Sequence, residues 1–227
     1  MNDRANEKDA AALTRVRRPP VSTHIPAVQR QPAEELGPRA QQTIITIVDA
    51  TRRVFLTRGY LGTTVDEIAR LAGVSRGTVY TYFATKRELL LAVGEEASSS
   101  TIAVIERLAA LGPTRAGMRT WTDECFAMLE VYGSFAFAWT QAATEDDEIY
   151  TAGRRGHLHL AKLFGEALTA TVGRDAADPT ALGVVLFSML ERAWAYCQLY
   201  GSGLDAERVK AELATALWGA AREARAA

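Results

Sequence analysis

The stretch SRGTVYTYF, residues 75 to 83, mixes an apolar pair with side chains suited to binding phosphate. Val79 and Phe83, four residues apart, share one face of a helix. A step of about 100° per residue then sets Gly77, Thr78 and Thr81 on the opposite face, with Tyr80 and Tyr82 flanking them and Arg76 at the start. Threonine and tyrosine hydroxyls bond phosphate oxygens, and a guanidinium in the first turn reaches a phosphate or a guanine edge. Glycine inside a helix costs about 1 kcal/mol relative to alanine, so Gly77 needs a reason, and close approach to a phosphate backbone supplies one. Lys86 stands in the first turn of the next helix, against the helix dipole, where a docked anion would justify it. The competing reading is half-buried packing in a helical unit that binds no nucleic acid.

Other residues that could do chemistry are sparse. His157 and His159 are two apart, which on a helix separates them by about 160°, so no shared metal is expected. Glu145, Asp146, Asp147 and Glu148 could hold a hard cation but read first as a solvated turn. Cys125 and Cys197 sit far apart among apolar neighbours and read as buried thiols. The sequence holds no Gly-rich phosphate loop, nucleophile elbow or HExxH, so it supports no enzyme, catalytic residue, cofactor or metal site.

The elements that must position the phosphate-binding face are sharply punctuated. A helix over 38–58 carries Ile44, Ile47, Val48, Thr51 and Phe55 on one face and stops at Gly59. Thr64 with Glu67 forms a capping box for a short helix bearing Val65, Ile68 and Ala72, which Gly73 ends. Ser75 caps the next, with Val74 placed to staple against Val79, and the two short helices make a helix-turn-helix. Thr85 with Glu88 starts a fourth helix running to about 110. Further helices follow over about 115–132, from Gly133-Ser134 to Thr144, over 149–172, and in the runs beginning Asp178 and Asp205. The fold predicted is all-α with about nine helices: a disordered Pro- and Arg-containing tail over 1–37, a helix-turn-helix domain over 38–84, and a helical domain over 85–227 linked by helix 85–110.

Charge divides the same way. Residues 1–92 hold 14 Lys+Arg against 9 Asp+Glu, and residues 93–227 hold 12 against 18. A polyanion is therefore expected to meet the front of the chain. With no apolar run near the ~18 residues of a membrane span and no signal-peptide core, no membrane partner and a cytoplasmic location are expected.

The run TRRVFLTRGYLGTTVDEIARLAGVSRGTVYTYFATKRELLLAV resembles the DNA-binding domain of the TetR family of bacterial transcriptional regulators. The shared pattern includes Gly59-Tyr60, Thr63-Thr64, Ile68-Ala69, Ala72-Gly73-Val74-Ser75, Gly77-Thr78, Tyr80, Tyr82-Phe83, Lys86 and Leu89. The resemblance implies an all-α homodimer whose three N-terminal helices bind a palindromic double-stranded DNA operator. The remaining helices would form a ligand-binding and dimerisation domain. By matching positions, Thr63, Thr64, Arg76, Gly77, Thr78, Tyr80, Thr81, Tyr82 and Lys86 would contact DNA. It further implies a repressor released by an effector, with an activator or a ligand-binding protein of the same fold as alternatives.

All four tryptophans fall after residue 93. An apolar cavity lined by Trp121, Cys125, Met128, Phe137, Trp139 and Trp194 would suit a hydrophobic or aromatic small molecule. Tyr132, Gln141, His157, His159 or Glu191 would offer polar contacts; ordinary core packing is the competing reading. Val185, Met189, Ala193, Val209, Leu213, Ala216 and Ala220, at helical spacings in the last two helices, suit a four-helix interface between subunits.

Overall fold

The computed structural model describes residues 37–112 and 114–224, with the side chains of Ser134 and Phe137 outside that description. The tail expected over 1–37 lies outside the described residues except for Gly37. Eight α-helices follow in order: α1 Pro38–Arg58, α2 Val65–Ala72, α3 Arg76–Tyr82, α4 Lys86–Leu111, α5 Arg115–Ala143, α6 Asp147–Ala170, α7 Pro179–Tyr200 and α8 Ala206–Glu223. A 3₁₀ turn, Gly201–Gly203, joins the last two helices and makes nine helical segments among the described residues. No strand occurs among the described residues, so the all-α class stands.

Helix boundaries follow local chemistry. Thr64, Ser75, Thr85, Thr114, Asp146, Asp178 and Asp205 each accept a hydrogen bond from a first-turn backbone N–H, satisfying donors that the helix cannot. Gly73 ends α2 at φ +68°, in the left-handed region that glycine enters without steric cost. At Thr85 the box closes one residue early: the Glu88 carboxylate accepts from Ala84 N–H at 2.8 Å.

One boundary differs from the sequence reading. Gly133-Ser134 does not break the chain, and α5 runs unbroken from Arg115 to Ala143. A Cβ at Gly133 would lie 2.4 Å from Trp194 Cζ3, so the glycine seats a tryptophan of α7 against α5. Gly153 on α6 seats Trp139 in the same manner, and Gly94 on α4 seats Phe135.

Two apolar clusters hold the helices together. The first joins Ile47, Val48, Val54 and Phe55 of α1, Ile68 of α2, Val79 of α3 and Phe83 to Leu89, Leu90 and Val93 of α4; Ala138 and Ala142 of α5 and Ile149 of α6 complete it. The second lies among α4 to α8 around Trp121, Phe164, Leu168, Leu190 and Leu217, all nearly or fully inaccessible. The first three helices are thus packed directly on the ends of α5 and α6 as well as on α4. Polar ties reinforce the contact. Arg52 of α1 donates to the Val131 carbonyl at 2.9 Å, Gln141 of α5 accepts from Tyr60 N–H at 2.9 Å, and Arg87 of α4 pairs with Asp146 and Glu148. The acidic run read as a solvated turn therefore caps α6 and anchors it to α4. Between α5 and α8, Asp123 and Glu207 share Arg119 and Lys210, and these partners hold both carboxyls below the usual range, against the opposing effect of burial.

Candidate nucleic-acid interface

α3 directs Val79, fully buried, into the first cluster and leaves Arg76, Gly77, Tyr80 and Thr81 exposed. Ser75 and Thr78 share a hydrogen bond between their hydroxyls at 2.8 Å, and Ser75 Oγ also accepts from Thr78 N–H at 2.9 Å, so the helix start is fixed. Thr81 donates to the Gly77 carbonyl at 3.0 Å. Arg76 donates to Asp66 of α2 at 3.1 Å and to the Tyr80 hydroxyl at 3.3 Å, with its guanidinium 5.4 Å from the centre of the Tyr80 ring. Both partners of the Arg76–Asp66 pair are more than half exposed. Such a pair adds little stability and is readily exchanged for a phosphate.

Gly77 meets no demand from the fold. A Cβ there would approach nothing closer than Ser75 Oγ at 3.6 Å, and the backbone is helical. The missing side chain therefore leaves room for something outside the chain.

Three expected DNA contacts have intramolecular roles. Thr63 is 3% exposed and its hydroxyl donates to the Gly59 carbonyl at 2.7 Å, which removes it from the outward face. Lys86 Nζ donates to the carbonyls of Tyr60 and Thr63 at 2.8 and 3.2 Å and lies 4.4 Å from the Tyr60 ring centre. The fold itself thus justifies a lysine there without an anion: it ties the start of α4 to the α1–α2 loop, and burial lowers its pKa. Tyr82 packs partly on the first cluster, so its ring is a core contact as well as an edge of the outward face. Thr64 stays exposed as the α2 cap. The contacts of Arg76 with Asp66 and of Lys86 with Tyr60 cross a turn and leave no periodic signal in the sequence.

Of the six residues expected around an effector, four fall in the second cluster and one in the first. Trp121 is fully buried, stacks on Phe164 with ring centres 4.9 Å apart, and donates its indole N–H to the Val104 carbonyl at 2.7 Å, so it is a satisfied core residue. Cys125, Met128 and Trp194 join the same cluster, whereas Trp139 packs on the first one. Burial raises the Cys125 thiol well above its ordinary pKa, leaving it unreactive. The Phe137 side chain lies outside the described residues. A groove of about 520 Å³ opens elsewhere, between α7 and α8, lined by Met189, Ala193, Leu204, Val209, Leu213 and Ala216 with Arg208 and Glu212 at its rim. No helix among the described residues is long and apolar enough to cross a membrane.

The family model of bacterial regulatory proteins, tetR family, matches residues 47–93, the stretch that holds most of α1, the helix-turn-helix and the start of α4. The HTH-type transcriptional regulator SrpR of Pseudomonas putida is 44% identical over 61 residues, a match spanning 27% of this chain and 29% of that protein. Less than a third of that relative's length is therefore matched. Likeness of fold extends further. A Mesorhizobium loti chain assigned to the TetR-family transcriptional regulators superposes with a TM-score of 0.63 at 22% identity, covering 82% of this chain and 97% of that one. SmeT in complex with triclosan gives 0.57 at 22% identity, covering 79% and 91%. Residues 47–93 thus carry a helix-turn-helix of the kind found in bacterial regulatory proteins of the tetR family, and the fold of the solved regulators is shared along most of the chain.

Proposed function

We propose that this regulator acts as a repressor: a homodimer binding a palindromic operator through α3 and released by an apolar or aromatic small molecule. The observation that carries the reading is the outward face of α3. There Arg76, Tyr80 and Thr81 surround a glycine that the fold does not need, while Val79 fixes the helix from behind. Thr64, Arg76, Gly77, Thr78, Tyr80, Thr81 and the hydroxyl end of Tyr82 form the DNA-facing set. Thr63 and Lys86 support it from within.

The α7–α8 groove supports the dimer, because an open apolar surface beside a 64% exposed Val185 fits a second copy. Release requires the effector to favour one spacing of the two α3 helices over another. The packing of α5 and α6 on the DNA-binding helices gives such a preference a path. SmeT, a neighbour in fold, was solved with triclosan, which favours an aromatic effector. The test is a gel shift with the intergenic DNA beside the protein's own gene. The expected result is a discrete complex of two protomers per duplex; no shift at micromolar protein would overturn the reading.

A further inference from the structure

A second groove, of about 290 Å³, opens between α1 and α2. α1 contributes Arg53, Val54, Thr57 and Arg58 to its walls, and α2 contributes Glu67, Arg70 and Leu71. Val54 is 7% exposed and belongs to the first cluster, whereas Leu71 is 38% exposed. The groove thus sets three guanidiniums against one carboxylate around a partly apolar lining.

The fold makes little use of those guanidiniums. Arg70 has no hydrogen-bond or ion-pair partner among the described residues. Arg58 meets Glu67 at 3.5 Å and Arg53 meets Asp49 at 3.8 Å, through arginine side chains that are 62% and 59% exposed. Ion pairs that long and that open to water add little to stability. A cation in the last turn of α2 suits the helix dipole, which accounts for one positive charge at Arg70 but not for two more brought beside it from α1. Like charges gathered around one groove repel one another, and an anion among them relieves the repulsion.

Position selects the anion. Arg70 stands four residues after Asp66, one turn along the same face of α2, and Asp66 pairs with Arg76 at the start of α3. The basic groove therefore continues from the outward face of α3, across α2, to α1. Each strand of a duplex carries one charge per about 3.4 Å of its axis, so several fall within the length of α2, about 12 Å. The sugars between those phosphates offer apolar faces to Leu71.

We propose that the α1–α2 groove binds the phosphate backbone of the same duplex that α3 enters, with Arg53, Arg58 and Arg70 as its contacts. This rests on the reading of α3 as the DNA-facing helix. Contacts of this kind anchor and orient the protein without reading bases. An acidic polypeptide offers the same charge, but continuity with α3 favours the nucleic acid.

Fluorescence anisotropy of the full chain on the intergenic duplex, repeated across a range of salt concentrations, tests this. Arg70→Gln is expected to weaken binding severalfold at the lowest salt and to lower the log-log salt slope by about 0.9 for each protomer bound, with circular dichroism unchanged. Arg53→Gln should do the same. Arg115→Gln is the control: this exposed arginine lies about 39 Å along α5 from Gln141, the residue that touches the α1–α2 loop, and its loss should change neither quantity. Unchanged affinity and slope in both groove variants, or a loss that Arg115→Gln shares, would overturn the site. Labelled poly-glutamate is the second probe, and arginine variants that lose poly-glutamate yet keep the duplex would give the groove to an acidic polypeptide instead. Tyr80→Ala separates this inference from the reading beneath it. Duplex binding that Tyr80→Ala weakens and the groove variants do not removes this site alone, whereas a wild-type chain that binds no duplex removes the α3 reading and this site with it.

Discussion

At the scale of single residues, two glycines that look alike in sequence have opposite reasons. Gly77 has open space where its side chain would be, whereas Gly133 has a tryptophan ring. Gly77→Ala is therefore expected to leave the urea unfolding midpoint unchanged or raise it, since alanine gains up to about 1 kcal/mol in a helix, while weakening DNA binding severalfold. Fluorescence binding curves and urea titrations on one preparation check both halves. A loss of stability would show that the glycine serves the fold. The outward set Arg76, Gly77, Tyr80 and Thr81 was legible in sequence because a helix imposes a fixed angular step and Val79 with Phe83 fixes the inner face. The intramolecular partners of Thr63 and Lys86 are not legible in sequence, because they are backbone carbonyls of the α1–α2 loop and no residue pattern announces a carbonyl's direction.

At the scale of elements, cap residues fixed the starts of helices accurately, since each cap acts on N–H groups within three residues of itself. Gly133-Ser134 misled because glycine terminates helices only when nothing outside needs the space. Its role depends on Trp194, 61 residues further along the chain and invisible to any local window. Gly133→Ala should destabilise the protein by about 1–3 kcal/mol, since the indole must move out of its seat and overpacking outweighs the gain in helix propensity. Thermal or urea unfolding measures this, and a stabilised variant would mean that the ring yields freely. The aromatic residues after position 93 could not be sorted from sequence for a related reason. Trp121 and Trp194 share one apolar cluster, yet only Trp121 has an acceptor for its N–H.

At the scale of the whole molecule, a basic front and an acidic back orient the chain toward a polyanion, and the α7–α8 groove gives the proposed two-fold partner its place. Leu213, read from sequence as an interface residue, is only 6% exposed within one chain, so a charge there would unfold the protomer. Ala216 lines the groove and is exposed. Ala216→Glu is accordingly expected to shift sedimentation from dimer to monomer at micromolar concentration with circular dichroism unchanged; a dimer that persists would place the interface elsewhere. The central claim, sequence-selective DNA binding through α3, is met most directly by fluorescence anisotropy with a labelled intergenic duplex and a scrambled duplex of equal length at one fixed salt concentration. The account predicts a preference of at least about a thousandfold for the intergenic duplex, the lower end for specific over non-specific binding. Equal affinity for the two duplexes, or no binding to either, would contradict it.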